Sequence, residues 1–168
     1  PYYQQEKFPK EDALVAKVNG KWEPTSIHSY IEQANQISRG LLAMGIQPGD
    51  KIAMISNNRP EWNICDIGIL QIGAINVPVY PTISEEDYAY IFNDAGVKLC
   101  IVSDLELYTK VDAIRSKVTS LKEVYTFENI EGAKHWNDIK EAADQVEQNK
   151  VEEIKKTVQE DDLATLIY

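Results

Sequence analysis

The chain has 168 residues, of which 43% are hydrophobic and 9% aromatic, a composition that predicts a folded domain with a sizeable core. The formal net charge of −10 argues against nucleic acid or an anionic membrane as the main partner, since both attract clustered lysine and arginine. No apolar run reaches the roughly 18 residues of a membrane-spanning helix, and no signal peptide is recognisable. We therefore expect a cytoplasmic α/β domain.

The first part of the chain predicts a β-hairpin followed by an amphipathic helix. Two short segments, Ala13–Val18 and Trp22–Thr25, flank the dipeptide Asn19-Gly20, which is typical of a tight hairpin turn. Apolar residues from Ile27 to Leu42 then recur at helical spacing, and Gly45 is well placed to end that helix. The hairpin is thus expected to precede the first long helix.

From Lys51 onward, short apolar strands alternate with helices, which predicts a parallel sheet covered on both faces. Pro60 suits the first position of a helix whose apolar residues lie on more than one side, so this helix should be covered on more than one side. The expected fold is a three-layer α/β/α sandwich with a mostly parallel sheet, preceded by the hairpin. The predicted strands are Lys51–Ser56, Ala74–Val79, Leu99–Val102, Glu123–Thr126 and Leu163–Tyr168, and the predicted helices are Pro60–Ile72, Glu85–Asp94, 105–117, Trp136–Ala143 and Val146–Val158.

Patterns for disulfide, metal or triad chemistry are not found in the sequence. Cys65 and Cys100 lie far apart in apolar runs, which predicts two buried, reduced thiols. Neither His28 nor His135 belongs to a triad-like pattern, and the acids of Glu85–Asp87 suit the positive end of a helix dipole better than a metal ion. No catalytic residue and no metal ligand is assigned to this chain.

Two segments lie where a strand is expected to end, which is where α/β folds place ligands. Ser56–Arg59 follows one predicted strand, but serine and asparagine there also suit plain turn and capping chemistry. The run Tyr80-Pro81-Thr82 follows the next strand, and its alternative interpretation is a rigid exit turn set by Pro78 and Pro81. No glycine-rich phosphate loop accompanies either segment.

Three stretches together resemble the amino-terminal part of the adenylate-forming acyl-CoA synthetases, the superfamily that includes luciferases and peptide-synthetase adenylation domains. They are GDKIAMISNNRPEW at Gly49–Trp62, GAINVPVYPT at Gly73–Thr82 and DDLATLIY at Asp161–Tyr168. The Pro-Glu-Trp turn, the Val-Pro-Val-Tyr-Pro-Thr run and the acidic segment from about Phe127 to Asp162 are similar to the long-chain fatty acid ligase branch.

The resemblance implies a fatty acid–CoA ligase that uses ATP, Mg²⁺ and CoA. It also implies that residues 1–168 are a single partial domain that stops before the family's phosphate-binding loop, is inactive alone and binds none of these ligands tightly. Tyr80, Pro81 and Thr82 are expected to lie near the ATP and pantetheine channel. The turn Asn57–Trp62 is expected to stabilise the sheet edge near the active-site cleft, so that replacing Trp62 by Ala should lower stability. Neither the oligomeric state nor peripheral contact with a membrane is decided by the sequence.

Two alternatives stay open at this point. The chain belongs to an acyl-AMP ligase, a medium-chain ligase or an aryl-acid ligase of the same superfamily, because acyl specificity is set largely by residues beyond Tyr168. Otherwise it is a free-standing flavodoxin-like binding module, which would need a complete ligand loop that the sequence does not show.

Overall fold

The computed structural model describes residues 1–168 and combines a five-stranded parallel sheet with a separate two-stranded antiparallel hairpin. The strands are β1 Leu14–Val18, β2 Lys21–Thr25, β3 Lys51–Ile55, β4 Ile75–Val79, β5 Val97–Val102, β6 Glu123–Thr126 and β7 Lys134–His135. The helices are α1 Tyr2–Lys7, α2 Ile27–Ala43, α3 Pro60–Leu70, α4 Glu85–Ala95, α5 Leu105–Ile114, α6 Trp136–Glu141 and α7 Gln148–Lys155.

The order of the parallel strands is β4-β3-β5-β6-β7. β3 comes first along the chain but lies between β4 and β5, so the direction of winding reverses there. This is the doubly wound order in which ligands bind at the carboxyl ends of the two strands that flank the reversal. The predicted parallel sheet with a preceding hairpin is confirmed.

Buried side chains form one apolar cluster on each face of the sheet, which confirms the three layers. The first cluster includes Ile37 and Leu41 of α2 and Ile69 of α3. The second is built around two aromatic side chains of α4, Tyr88 and Phe92, which are both fully buried. Each sheet face therefore has its own core.

Helix α3 begins as predicted, with Pro60 at its first position, and it packs tightly against α2. A Cβ atom added to Gly68 would lie 2.6 Å from the Cγ2 atom of Ile37 and 3.0 Å from the carbonyl oxygen of Ala34. Gly68 therefore has a packing role, since only glycine allows this approach of the two helices.

The prediction of a buried strand at Leu163–Tyr168 is wrong. This segment makes a single parallel bridge, between Asn76 of β4 and Thr165, and Ile167 is 74% exposed. The backbone N–H and C=O of Asn76 both form hydrogen bonds with the segment. The next residue of β4 whose backbone groups face this open edge is Pro78, which has no N–H to donate. The ladder therefore stops after one residue.

Smaller differences have local causes. α1 was not predicted because none of its residues is buried, and β7 was not predicted because it has only two residues. The predicted helix Val146–Val158 is shorter, since a 3₁₀ turn at Ala142–Gln145 precedes α7, which ends at Lys155. No helix of the structure combines the length and apolar character needed to cross a membrane.

Candidate functional site

A cavity of about 760 Å³ lies between the hairpin and the carboxyl ends of β3, β5 and β6. The sheet contributes the turn Asn57–Arg59 after β3, Ser103 and Asp104 after β5, and Glu128 after β6. Residues of β1 and β2, including Trp22, border the opposite side. This cleft therefore occupies the point of strand-order reversal, where the doubly wound fold places ligands.

The turn after β3 is fixed by an ion pair at its base. The Nε and Nη2 atoms of Arg59 donate to the two carboxylate oxygens of Glu61 at 2.9 and 3.0 Å. Burial acts to raise the pKa of the Glu61 carboxyl, but the hydrogen bonds from Arg59 and from its own backbone, with the charges of Arg59 and Lys140, hold the pKa below its ordinary value. The paired geometry gives the turn a defined conformation.

A row of stacked side chains connects this turn to α6. The guanidinium carbon of Arg59 lies 5.0 Å from the ring centroid of Phe127, and Phe127 makes an edge-to-face contact with Trp136 at 5.6 Å between centroids. On the far side, the Nζ atom of Lys140 lies 3.9 Å from the centroid of Trp136. Burial lowers the pKa of Lys140 against the opposing effects of Cys65 and Glu61. The turn is thus held by side chains from three separate segments.

The other polar groups of the cleft are mostly acids with local structural tasks. Asp104 accepts hydrogen bonds from the backbone N–H of Leu107 at 3.1 Å and from the hydroxyl of Ser103 at 2.7 Å, so it caps α5. Glu128 is exposed. The charge of Arg59 is taken up by Glu61, which leaves Lys17 as the cation of the cleft without a carboxylate within 4.0 Å.

These residues do not fit the phosphates of ATP, which are bound by glycine-rich loops and unpaired cations. The cleft contains more acids than bases, and no glycine borders it. No group of three or more His, Cys, Asp and Glu side chains is arranged to hold a metal ion. We therefore assign no step of phosphate or metal chemistry to the residues of this cleft.

The structure places Tyr80, Pro81 and Thr82 at the same edge of the sheet, directly after β4, but not along the cleft. The Tyr80 side chain is 70% exposed, and its carbonyl oxygen accepts a hydrogen bond from the Tyr88 hydroxyl at 3.1 Å. Burial, with smaller effects of nearby acidic groups, raises the pKa of Tyr88 to about 12. The role of these three residues beside a ligand channel stays a prediction.

The two cysteine and two histidine side chains lie outside the cleft and have structural roles. Cys65 and Cys100 are both buried and unpaired, as predicted, and burial raises the pKa of each thiol. His28 forms a hydrogen bond with the Gln5 amide at 2.8 Å, and His135 caps the first turn of α6. None of the four belongs to the cleft.

Sequence reasoning found the turn after β3 but missed Ser103, Asp104 and Glu128. The signal was available, because each of these residues follows a predicted strand and the carboxyl ends of parallel strands meet at one edge. The contribution of the hairpin had no such signal, since its placement depends on contacts distant in sequence.

Comparison with known protein families decides to which family the chain belongs. The model of the AMP-binding enzyme family matches residues 2–168. The chain is a member of the AMP-binding enzyme family. The match covers almost every residue, so this AMP-binding family sequence includes both the hairpin and the parallel sheet.

Curated relatives of this AMP-binding family chain are longer proteins. Long-chain-fatty-acid–CoA ligase FadD15 of Mycobacterium bovis is 28% identical over 151 residues, which cover 90% of this chain and 25% of the relative. Long-chain-fatty-acid–CoA ligase ACSBG1 of Rattus norvegicus is 26% identical over 172 residues, covering 99% of this chain and 24% of the relative. The chain spans about a quarter of the length of these relatives.

A solved structure supports the fold. The coronafacic acid ligase of Pectobacterium brasiliense superposes with a TM-score of 0.70 at 20% sequence identity, covering 87% of this chain and 29% of the ligase chain. At this identity the similarity shows the shared fold alone.

Proposed function

We propose that this chain is part of a long-chain fatty acid–CoA ligase of the AMP-binding family. The observation that carries the proposal is the family match over residues 2–168, together with relatives named as long-chain-fatty-acid–CoA ligases. Because the chain spans about a quarter of those relatives, residues 1–168 are proposed to form one partial domain, the first part of a larger AMP-binding domain.

The proposed reaction has two steps. A carboxylate oxygen of the fatty acid attacks the α-phosphorus of ATP, so pyrophosphate leaves and an acyl-adenylate forms. The sulfur of CoA then attacks the acyl carbonyl carbon, AMP leaves, and the thiol proton passes to solvent. ATP, Mg²⁺ and CoA are proposed to be held mainly by residues outside this chain, since its cleft does not fit phosphates. The isolated chain is then inactive.

The contribution of this chain is proposed to be a scaffold with one ligand-facing edge. Tyr80, Pro81 and Thr82 are proposed to border the channel for ATP or pantetheine, which is supported by their position at the carboxyl edge and by the exposure of Tyr80. Replacing Tyr80 by Ala in the whole ligase should raise the KM for CoA or ATP with little change in unfolding midpoint. The matched control is Tyr90→Ala, since Tyr90 is 65% exposed on α4.

The test of the function is made on the reading frame extended beyond residue 168. The product is incubated with ATP, Mg²⁺, CoA and fatty acids of increasing length, and acyl-CoA is measured by mass. Formation of long-chain acyl-CoA supports the proposal. If no thioester forms with any acid of the panel, the ligase assignment is wrong.

One alternative within the family is separated by the same assay. An acyl-AMP ligase would release pyrophosphate and accumulate acyl-adenylate without forming a thioester, whether or not CoA is present. The free-standing flavodoxin-like module is less well supported, because the family match covers both hairpin and sheet. We further propose that the ligase is cytoplasmic and contacts a membrane peripherally.

A further inference from the structure

Asn76 of β4 is buried with one half of its side-chain amide unpaired. The side chain is 1% exposed, and it lies on the sheet face covered by α2 and α3, since the next residue, Val77, packs on the other face. Its Nδ2 atom donates to the Oδ1 atom of Asp66 on α3 at 2.8 Å, but its own Oδ1 atom has no hydrogen-bond donor. A buried carbonyl oxygen without a donor is unfavourable, so the pair is incomplete while Asp66 is ionised.

The missing donor can come from Asp66 itself. An ionised carboxylate only accepts hydrogen bonds, whereas a protonated carboxyl group carries one O–H that donates. A carboxylic acid facing a primary amide can therefore form two parallel hydrogen bonds. In the first, which is present, the amide N–H of Asn76 donates to Asp66. In the second, the carboxyl O–H of Asp66 would donate to the Oδ1 atom of Asn76, and this bond needs one proton taken from solvent.

No cation opposes the protonation of Asp66, which is half-buried and forms no ion pair. Burial raises the pKa of its carboxyl group against the opposing effect of the hydrogen bond from Asn76. The titratable groups beside it are Tyr30 on α2 and Cys65 on α3. Burial, with a smaller effect of the Asp66 charge, raises the pKa of Tyr30 to about 12, and burial also raises the pKa of the Cys65 thiol. Both groups are therefore neutral near pH 7.

The other elements around Asp66 bring no charge to it. Neither β4 nor the segment Leu163–Tyr168 contains a charged side chain. Lys17 of β1 lies beside the Trp22 ring, with its Nζ atom 5.9 Å from the centroid. Lys51 of β3 projects from the opposite face of the sheet, because the next residue of that strand packs in the first apolar cluster. Burial and Asn76 therefore govern the protonation of Asp66.

The backbone of Asn76 holds the segment that follows α7. Its N–H donates to the carbonyl oxygen of Ala164 at 3.1 Å. Its carbonyl oxygen accepts from the N–H of Leu166 at 3.0 Å and from the hydroxyl of Thr165 at 2.9 Å. One residue thus contacts Asp66 through its side chain and the segment 164–166 through its backbone.

We propose that Asp66 and Asn76 form a proton-dependent switch for the attachment of the segment 164–166 to β4. Protonation of Asp66 completes the two-bond pair, fixes the Asn76 side chain and strengthens the backbone contacts of Asn76 with the segment. Ionisation of Asp66 leaves the Oδ1 atom of Asn76 without a donor and weakens those contacts. The switch is a property of the fold, so its test does not depend on the proposed ligase reaction.

The effect of pH on this switch has a definite sign. The raised pKa means that the folded chain holds the Asp66 proton more firmly than the unfolded chain does. The stabilisation is therefore fully present below the ordinary pKa of an aspartate, and it is lost as the pH rises through the folded value.

Asp66→Asn tests the switch, because an amide at this position has a donor and an acceptor at every pH. Its urea midpoint should exceed that of wild type at pH 8, and by much less at pH 5. At pH 8, hydrogen exchange at the Leu166 amide should be about fivefold slower in the variant, the factor that one net hydrogen bond gives. The matched control is Asp144→Asn, which changes an exposed aspartate and should show no such difference between the two pH values.

A second measurement is made on the wild-type chain and needs no variant. The carboxyl ¹³C signal of Asp66 is followed by NMR as the pH is changed, and its transition should lie above the ordinary pKa of an aspartate. A transition at or below that value would overturn the proposal. So would an Asp66→Asn chain that is no more stable than wild type at pH 8, as expected if a bound water already serves the Oδ1 atom of Asn76.

Discussion

The turn after β3 and the segment after β4 leave the same edge of the sheet, but they are held in different ways. Arg59 is fixed by two hydrogen bonds to Glu61 and by the Phe127 ring, and the turn borders a large cavity. Tyr80 is 70% exposed, and the Tyr88 hydroxyl holds its carbonyl oxygen. Equal position on a sheet therefore does not give equal rigidity, because rigidity depends on what the neighbouring elements contribute.

The largest loss of stability should come from a substitution in α2 that displaces α6, the helix that carries the far end of the stacked row. A Cβ atom at Gly40 would overlap the backbone carbonyl of Ile139, and backbone cannot move aside as a side chain does. We expect Gly40→Ala to lower the free energy of unfolding by about 3 kcal/mol. Urea denaturation measures it, and Glu32→Ala on the exposed face of α2 is the control, expected within about 0.5 kcal/mol of wild type.

Next in size is Trp62→Ala, in the first turn of α3. Trp62 is half-buried and packs against the first apolar cluster, so its loss should lower the free energy of unfolding by about 2 kcal/mol, less than for a fully buried tryptophan. An unchanged urea midpoint would contradict the view that this turn stabilises the sheet edge.

A smaller loss is expected for Arg59→Ala, which leaves the half-buried Glu61 carboxylate without its partner. We expect about 1.5 kcal/mol at neutral pH, and a smaller loss for Arg59→Lys, which keeps the charge but not the paired geometry. A double-mutant cycle with Glu61→Gln isolates the pair, and a coupling energy near zero would show that the turn is fixed by Phe127 alone.

The same pair gives a pH dependence with a definite sign. The pKa of Glu61 is lower in the folded protein than its ordinary value, so the folded chain binds fewer protons near that value than the unfolded chain does. The stabilisation is therefore present above the ordinary pKa of a glutamate and is lost as the pH falls through the lowered folded value. The difference between wild type and Arg59→Ala should shrink on acidification, and a difference that is constant with pH would contradict this.

The smallest effect should come from Tyr88→Phe, which removes the hydrogen bond to the Tyr80 carbonyl. That carbonyl belongs to an exposed residue and can bond to water, so we expect about 0.5 kcal/mol. Backbone amide exchange at Tyr80, Thr82 and Ile83 should become faster while that of 57–59 is unchanged. If both segments change equally, they are not held independently.

Much of the fold was predictable because its signals are local. Asn19-Gly20 marks the hairpin, and Pro60 marks the start of α3. Leu163–Tyr168 shows where local reasoning fails: its apolar residues predict burial, but the β4 edge offers one bonding residue before Pro78. Whether this segment can pair as a strand depends on the backbone hydrogen-bonding groups of β4, which lies far away in sequence.

The candidate site was predictable only in part, for the same reason. The turn at Ser56–Arg59 follows from the strand–helix order, and that order also places Tyr80 at the carboxyl edge. Arg59 stacks on Phe127, which in turn contacts Trp136, so the row joins segments about 70 residues apart in sequence. No periodicity or spacing of residue types reports such a contact.

We propose that this sheet belongs to an enzyme that makes an acyl-adenylate. The most direct test is the exchange of labelled pyrophosphate into ATP by the product of the extended reading frame, with Mg²⁺ and a long-chain fatty acid but without CoA. We predict exchange that requires the fatty acid, since only reversal of adenylate formation returns pyrophosphate to ATP. Exchange that is absent, or equally fast without the fatty acid, would contradict the claim.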